Sequence, residues 1–382
     1  MARPRIPPFI DFVRSLCSSG LVEKEKLRQR LAPFRGRTCG EQEVLQLGKQ
    51  LLDDQSLTRW QLRRLLQGVS GGFFIGKYKL LQKLGEGGMG AVYQAEHTMM
   101  RRLVAIKLLP IQPNKSVKAA HHELMLERFR RECQATAALD HRNVVRVHDF
   151  DSNGKCYYLV MEFIDGIDLH RVVVDEGPLP VESAIRYVRQ AAAGLGYAHR
   201  EGLIHRDVKP ANLLRDSGGT IKLLDLGVAL MPTNESAESS ITQDGKMLLG
   251  TVDFLAPEQA LDAHNVDPRA DIYGLGCTLY YLLIGEAPYP TGSKAQRLLN
   301  HQLKPCPSLT EQRPDIPPAI EAICHRMMAK TPDERYQSCE QLIAALDYSS
   351  KYPGLSDENI LLEEDDSWMD SSDSALGSGV LR

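Results

Sequence analysis

A series of short β-rich segments followed by a long helical half is the feature that most constrains how this 382-residue chain folds. Later in the chain, apolar residues recur at helical spacing from Ile185 to Leu195, in a helix predicted to begin after Pro180 and to stop near Gly202. Strands segregated from helices along the sequence predict an α+β fold with a strand-rich lobe, a helix-rich lobe and a cleft. The β-rich segments are Tyr78–Leu84, Ala91–Ala95, Leu103–Leu108, Val144–Asp149 and Tyr157–Phe163.

The first 72 residues predict a small helical module. Apolar residues recur at helical spacing from Phe9 to Leu16 and again from Val44 to Leu52. Thr58, with a glutamine three residues later, forms a capping-box pattern before a further helix. The sequence Gly-Val-Ser-Gly-Gly then interrupts the periodicity and marks a boundary. No residue pattern in this module indicates a catalytic or ligand-binding function.

The formal net charge of −3 conceals an asymmetry between the two ends of the chain. Residues 1–72 carry 13 Lys and Arg against 7 Asp and Glu, whereas residues 351–382 carry 2 against 8. The acidic, Ser-rich end is predicted to be mostly disordered. The basic excess is not interleaved with aromatic residues, so it predicts a solvated helical surface and no nucleic-acid binding.

The chain has no apolar run near the ~18 residues that a membrane-spanning helix needs. Its N-terminus has three prolines and an early aspartate and does not resemble a signal peptide. The eight cysteines are scattered, without metal-ligand spacing, and are expected to be reduced. The expected location is therefore the cytoplasm, without a transmembrane segment.

The glycine-rich segment Gly85–Gly90 lies between two β-like segments and is the first candidate for chemistry. Glycines allow the backbone to approach a phosphate closely. The same pattern occurs in dinucleotide-binding proteins, where it opens a helix, but here the β-favouring Ala-Val-Tyr follows. The next apolar strand ends at Lys107, which is either a snorkelling surface residue or the partner of an acidic residue such as Glu132.

Two later segments place polar groups in apolar surroundings. In the segment His205–Asn212, the residues Asp207, Lys209 and Asn212 surround a proline that prevents simple continuation of a helix. Asp225 lies within the apolar segment Leu223–Leu226, which is followed by a glycine. A buried carboxylate needs a partner, and a metal ion is one solution.

In this order, the four segments closely resemble the bacterial Ser/Thr kinases of the eukaryotic-like (Hanks-type) protein kinase family. The resemblance covers roughly Tyr78 to Leu346 and includes a glycine-rich loop, VAIK, HRDxKPxN, Asp-x-Gly and Ala-Pro-Glu. It implies a two-lobed kinase fold with a β-rich N-lobe and a helical C-lobe, preceded by the small all-α module. The predicted limits are 1–72 for the module, 73–77 for a linker, 78–347 for the kinase domain and 348–382 for the acidic tail.

The resemblance implies a catalytic role for four residues. Asp207 would accept a proton from the substrate hydroxyl or orient it, and Lys209 would stabilise the transferring phosphoryl group. Lys107, held by an ion pair with Glu132, would contact the α- and β-phosphates of ATP. Phosphoryl transfer mainly requires alignment and cationic stabilisation, which these residue types supply.

The resemblance also implies the cofactors, ATP and Mg²⁺, with Mn²⁺ as an alternative metal. Asn212 and Asp225 would bind the metal ion, which bridges phosphate oxygens. Met161 would occupy the gatekeeper position before the hinge. The implied ATP-binding residues are Leu84, Gly85, Glu86, Gly87, Gly88, Met89, Gly90, Ala91, Val92, Ala105, Lys107, Met161, Glu162, Ile164 and Leu214.

Other motif residues are expected to be structural. The resemblance implies an ion pair between Glu258 and Arg335, and it implies that Asp271 holds the catalytic loop by hydrogen bonds. His205 is expected to be a packed loop residue. Leu226 stands where many relatives have Phe, a departure that we expect to change packing more than chemistry.

The implied function is transfer of the γ-phosphoryl group of ATP to protein Ser and Thr hydroxyls in signalling. Arg206 implies a charge partner in the activation segment, and Thr242 is the hypothesised autophosphorylation site. Alternatives are a nucleotide-binding scaffold with negligible turnover, disfavoured by the intact motif residues, and a small-molecule kinase. Residues 1–72 are expected to dock on the N-lobe, on a partner or on a second copy, or to be a plain packing appendage.

Overall fold

Two units make up the structure, which is a computed structural model. The first unit is Met1–His122 with Val147–Phe163, and the second is Glu123–Arg146 with Ile164–Arg382. No helix in the described part of the chain is long and apolar enough to cross a membrane. The residues that the structure describes are 6–87, 90–110, 136–154, 156–226, 252–261 and 266–351.

The helical module of the first unit is built around the predicted apolar stripes. Phe12 and Leu16 pack in one buried cluster with Val44 and Leu47 of a later helix. Helix α2 has a strongly polar sequence with Leu27 as its buried residue, so no apolar stripe predicted it. The helices are α1 (Phe9–Ser19), α2 (Lys24–Leu31), α3 (Glu41–Asp53) and α4 (Arg59–Leu66), with a 3₁₀ turn at Ala32–Phe34.

The strands of the first unit form one antiparallel sheet in the order β1-β2-β3-β4-β6-β5. Three of the five predicted β-rich segments lie wholly in strands, and the segment Tyr157–Phe163 lies in a strand up to Glu162. The segment expected to begin at Val144 begins at Val147, because the Val144 backbone forms a parallel bridge with Leu223. The strands are β1 (Phe74–Ile75), β2 (Tyr78–Gly87), β3 (Gly90–His97), β4 (Leu103–Pro110), β5 (Val147–Ser152) and β6 (Cys156–Glu162).

One face of this sheet carries an apolar cluster. Val104 and Ile106 of β4 are buried in it together with Leu80 of β2 and Val160 of β6. Trp60 of helix α4 packs against the same cluster and also against the cluster of the helical module. The module and the sheet are therefore joined by shared apolar contacts.

The second unit is mainly helical. Helix α6 begins at Val181, directly after Pro180, and ends at Arg200, close to the predicted limits. Helix α8 is buried on all sides, which its nearly continuous apolar sequence requires. The helices are α5 (Leu169–Glu176), α6 (Val181–Arg200), α7 (Pro257–Leu261), α8 (Arg269–Ile284), α9 (Lys294–Leu303), α10 (Leu309–Gln312), α11 (Pro318–Met327) and α12 (Cys339–Lys351).

A small antiparallel sheet accompanies these helices, formed by β7 (Gly166–Asp168), β8 (Leu213–Asp216) and β9 (Ile221–Leu223). Short 3₁₀ turns lie at Pro210–Asn212 and Val252–Phe254, and a further one at Pro332–Glu334. The first of these turns leads directly into β8. The small sheet thereby fixes the end of the predicted catalytic loop.

The carboxylate of Glu321 in α11 anchors the start of α10. It accepts hydrogen bonds from Ser308 Oγ at 2.6 Å, from the Leu309 amide at 2.7 Å and from Thr310 Oγ1 at 2.8 Å. Burial opposes ionisation, but these hydrogen bonds outweigh it and lower the pKa of Glu321 to about 2. The ionised carboxylate is therefore the form that stabilises this corner of the fold.

We expect acid to remove this stabilisation. Because the pKa of Glu321 is lower in the folded protein than its ordinary value of 4.5, the contribution is complete above pH 4.5 and is lost as the pH falls toward 2. Chemical unfolding of the wild type and Glu321→Gln at pH 7 and pH 3 measures it. The gap in unfolding free energy should be about 1–3 kcal/mol at pH 7 and shrink at pH 3. The exposed Glu311→Gln is the control, and a pH-independent gap would contradict this prediction.

Candidate active site

The segment HRDVKPAN, between α6 and β8, folds into a hydrogen-bonded loop. Lys209 Nζ lies 2.9 and 2.7 Å from the two carboxylate oxygens of Asp207. Asn212 Nδ2 donates to the Asp207 carbonyl at 2.8 Å and to its carboxylate at 3.0 Å. The structure thus brings together the carboxylate, the ammonium and the amide that the sequence singled out.

This loop is anchored by Asp271, a fully buried residue of α8. Its carboxylate accepts hydrogen bonds from the His205 amide at 2.8 Å and from the Arg206 amide at 2.7 Å. Arg206 has φ +64°, a left-handed conformation that costs a non-glycine residue about 1–3 kcal/mol. The two hydrogen bonds that the Asp271 carboxylate accepts hold the loop in this conformation, as the resemblance implied.

Two further residues support the loop, and the sequence did not reveal them. Gln259 Nε2 donates to the Arg206 carbonyl at 2.8 Å. His199 Nε2 lies 2.7 Å from the Asp271 carboxylate. The position of Gln259 directly after Ala-Pro-Glu was the available signal. His199 stands in the last turn of an amphipathic helix, where a histidine has no distinctive pattern.

Asp225 lies beside the loop His205–Asn212 because of a backbone hydrogen bond. The Leu224 amide donates to the Asn212 carbonyl at 2.9 Å, which brings the residue after Leu224 next to Asn212. Asp225 itself has φ +55°, a second left-handed non-glycine position. His205 is buried and its Nε2 lies 2.9 Å from the Leu224 carbonyl, so it is packed as expected. Leu226 is also buried, so the apolar character of this position is used in packing.

The donor set at this place suits a hard cation. Asn212 directs its amide nitrogen toward Asp207, and its amide oxygen therefore points away from that carboxylate. Asp225, the residue after Leu224, would supply the second oxygen donor. Mg²⁺ prefers oxygen ligands and is usually held by one or two carboxylates together with substrate phosphates. Asn212 and Asp225 fit this ion.

In the first unit, Lys107 is buried on one face of the sheet, with 6% of its surface exposed. In register it faces Val92 on β3 and Leu159 on β6. Side chains alternate along a strand, so Ala105 lies on the same face of β4 as Lys107. Met161 of β6 pairs with Ala105 across the two strands and therefore lies on this face as well. Lys107 therefore shares a face with three of the predicted ATP-binding residues, on the side away from the apolar cluster.

The glycine-rich segment forms the end of the β2–β3 hairpin. Gly87 pairs with Gly90, Glu86 with Ala91, and Gly85 with Val92. Gly90 has φ +138°, and a Cβ there would lie 1.9 Å from the Leu108 carbonyl oxygen. A glycine is required at this position because the backbone of β4 approaches so closely.

The remaining predicted ATP-binding residues lie in or beside strands. Leu84 is the extra residue at a register shift of β2 and is partly exposed. Glu162 is the last residue of β6, opposite Val104, and Ile164 follows two residues later. Leu214 lies in β8. Gly88, Met89, Glu132 and the hypothesised phosphosite Thr242 lie outside the described residues.

The expected ion pair between Glu258 and Arg335 is present. Arg335 Nη1 and Nη2 lie 2.7 and 2.8 Å from the two carboxylate oxygens of Glu258. The guanidinium is completely buried and also donates to the carbonyls of Ala329, Arg269 and Lys330. This pair joins the start of α7 to the turn before α12.

The protein kinase domain family matches residues 78–346, and the chain therefore belongs to the protein kinase family. This match agrees with the span predicted from the motifs, Tyr78 to Leu346. It confirms the predicted kinase fold, with a β-rich N-lobe and a helical C-lobe.

Curated relatives include serine/threonine-protein kinase PrkC of Bacillus subtilis, 33% identical over 76% of this chain and 43% of the relative. Serine/threonine-protein kinase PknB of Mycolicibacterium smegmatis is 35% identical over 71% of this chain and 42% of the relative. PknH of Mycobacterium tuberculosis is 37% identical over 72% of this chain and 42% of the relative. The chain thus spans less than half the length of these relatives.

Among solved structures, the crystal structure of Rad53 residues 1–466 in complex with AMP-PNP is similar, with a TM-score of 0.56. The match covers 70% of this chain and 64% of that chain at 21% sequence identity. At this identity, the similarity is one of fold.

Proposed function

We propose that the chain is a Ser/Thr protein kinase that transfers the γ-phosphoryl group of ATP to protein hydroxyls in signal transduction. The observation that carries the proposal is the Asp207 carboxylate, held by Lys209 and Asn212 in a loop anchored on Asp271. Asp271, Gln259 and Leu224 contact this loop from other parts of the second unit. The curated relatives are named serine/threonine-protein kinases, and Lys209 within HRDxKPxN favours the same substrate class.

Asp207 is the group that would act on the substrate. Its carboxylate accepts the proton of the incoming Ser or Thr hydroxyl, or orients that hydroxyl toward the phosphorus. Lys209 fixes the orientation of the carboxylate and places a positive charge where negative charge develops on the transferring group. The hydrogen bonds from Asn212 prevent the carboxylate from rotating away from this position.

Most of the residues that would hold the nucleotide lie on the Lys107 face of the sheet in the first unit, and those that would hold the metal belong to the second unit. Asn212 and Asp225 would hold Mg²⁺, with Mn²⁺ as an alternative, and the ion would neutralise charge on the phosphate oxygens. Lys107, paired with Glu132, would contact the α- and β-phosphates. Leu84, Val92, Ala105 and Leu214 would enclose the adenine, with Met161 at the gatekeeper position. Gly85, Gly87 and Gly90 would cover the phosphates.

Arg206 supports a proposal about regulation. It immediately precedes the catalytic aspartate and is held in a left-handed conformation, so its position is defined by Asp271 and Gln259. A phosphate on the activation segment can pair with such an arginine and order the segment. We propose Thr242 as the site that receives this phosphate, by autophosphorylation.

Phosphate mapping after incubation with ATP and Mg²⁺ tests this function. We expect phosphate on serine and threonine residues of the protein, with Thr242 among them, and none when the metal is chelated. If phosphate is found on Ser or Thr but not between Thr233 and Thr251, autophosphorylation of the activation segment is wrong. If no phosphate is transferred to the chain or to an added protein substrate, the kinase proposal itself is contradicted.

A further inference from the structure

The capping box of helix α4 makes hydrogen bonds beyond its own helix. Within the box, the Gln61 amide donates to Thr58 Oγ1 at 3.2 Å and the Thr58 amide donates to Gln61 Oε1 at 2.9 Å. Gln61 Nε2 also donates to the Leu80 carbonyl at 2.6 Å, and Thr58 Oγ1 donates to the Leu81 carbonyl at 2.5 Å. The same two side chains therefore cap a helix and bind strand β2.

The two carbonyls belong to a β-bulge. Leu80 pairs with Ala95 and Gln82 pairs with Gln94, so Leu81 is an extra residue in β2. A bulge bends its strand and increases the local twist, and it breaks the regular ladder of hydrogen bonds. Here the helical module supplies donors to both carbonyls at the break.

Other contacts support the same junction. Trp60 of helix α4, which lies between Thr58 and Gln61 in the sequence, packs edge-on against Tyr93 of β3, with ring centroids 5.6 Å apart. Lys79 Nζ donates to the Leu21 carbonyl of the module at 3.2 Å. Gln61 is completely buried, so its amide would be costly to hold there without these partners. The module is thus fixed to the two strands that carry the glycine-rich segment.

We propose that the helical module, residues 6–72, positions the glycine-rich segment of the nucleotide site, and that Gln61 and Thr58 are the positioning residues. The inference rests on the proposed function, in which Gly85–Gly90 contacts the ATP phosphates. Leu81 lies four residues before Gly85, about 13 Å along an extended strand. The bend and twist at Leu81 set the direction in which the hairpin continues, so the module acts on the ATP site without contacting nucleotide.

Steady-state kinetics with Gln61→Met tests the inference, because methionine keeps the length of the side chain and removes the donor. We expect the KM for ATP to rise about 3- to 10-fold, the range that loss of one hydrogen bond allows. We expect kcat and the KM for a peptide substrate to change less than about twofold. The matched control is Gln67→Met, an exposed glutamine just after the same helix.

Thr58→Ala and Thr58→Ser form a second pair that keeps the test decisive if Gln61→Met is poorly folded. Alanine removes the hydroxyl that donates to the Leu81 carbonyl, so Thr58→Ala should raise the KM for ATP. Serine keeps the hydroxyl, so Thr58→Ser should have a KM for ATP close to that of the wild type. Unchanged KM values for ATP in Gln61→Met and Thr58→Ala, accompanied only by lower thermal stability, would show that the module is a packing appendage.

Hydrogen exchange of the nucleotide-free protein separates this inference from the proposed function. Amides of residues 78–97 should exchange faster in Gln61→Met than in Gln67→Met, because the hairpin loses its support at the bulge. If the wild type transfers no phosphoryl group, the proposed function is contradicted. The comparison of hydrogen exchange between Gln61→Met and Gln67→Met would still show whether the module supports the β2–β3 hairpin. Equal exchange in the two variants would overturn the positioning role.

Discussion

Replacing Asp207 by Asn is expected to lower kcat by about 10²- to 10⁴-fold, the contribution that a positioned acid–base group makes. The amide keeps the shape of the carboxylate but does not accept the hydroxyl proton, and it loses the charge that Lys209 Nζ contacts at 2.7 Å. Release of ADP with a saturating protein substrate measures kcat, and calorimetry measures ATP binding. Because Asp207 is assigned to the substrate hydroxyl, we expect ATP affinity to remain within about threefold of the wild type.

The control for this variant is Asp175→Asn. Asp175 is an exposed residue of α5 whose carboxylate pairs with Arg171 at 2.7 Å, so its neutralisation changes the total charge equally without touching the loop. This control should retain wild-type kcat. An Asp207→Asn protein that retains more than about a tenth of the wild-type kcat would contradict the role assigned to Asp207.

The second large effect is expected on stability. Arg335→Met should lower the free energy of unfolding by about 3–5 kcal/mol, because it leaves the Glu258 carboxylate without its buried partner. It also removes the donors to three backbone carbonyls. Denaturant unfolding gives the free energy, and the thermal midpoint should fall by about 10 °C.

Two comparisons define the origin of that loss. In the double variant Glu258→Gln/Arg335→Met, the loss should be smaller than the sum of the single losses, because the uncompensated charge is removed. Arg14→Met breaks an exposed ion pair with Asp11 and should cost less than about 1 kcal/mol. If Arg335→Met costs no more than Arg14→Met, the buried pair does not stabilise this unit.

The loop His205–Asn212 could be singled out from the sequence because its polar residues lie close together along the chain. Asp207, Lys209 and Asn212 lie within six residues, and the proline between them limits the conformations that the loop can take. The helix after Pro180 and most of the β-rich segments were predictable for a similar reason, since apolar periodicity reflects one buried face. These features depend on neighbours in sequence more than on partners far along the chain.

Features that depend on distant partners could not be predicted from local patterns. The pair of Glu258 with Arg335 and the anchoring role of Asp271 were predicted only through the family resemblance. Val144 has a strand-like sequence, yet its backbone bridges to Leu223, which only the tertiary fold brings near. Thr58 and Gln61 were predictable as a capping box, but their hydrogen bonds to the bulge of β2 require the register of a sheet. His199 supports Asp271 from a helix whose periodicity gives no sign of that role.

The helical module shows how the two kinds of information combine. Composition and periodicity predicted helices and a boundary near residue 72, and they left open whether the module docks in cis. The structure places Trp60 against Tyr93, and the Lys79 ammonium on the Leu21 carbonyl. These contacts support docking on the strand-rich part of the same chain.

The most direct test of the central claim is the chemical fate of the γ-phosphoryl group. Wild type and Asp207→Asn are each incubated with γ-labelled ATP, Mg²⁺ and a protein substrate, and the labelled amino acids are then identified. We expect label on phosphoserine and phosphothreonine with the wild type and almost none with the variant. Nucleotide binding without labelled protein in the wild type, or label on tyrosine alone, would contradict it.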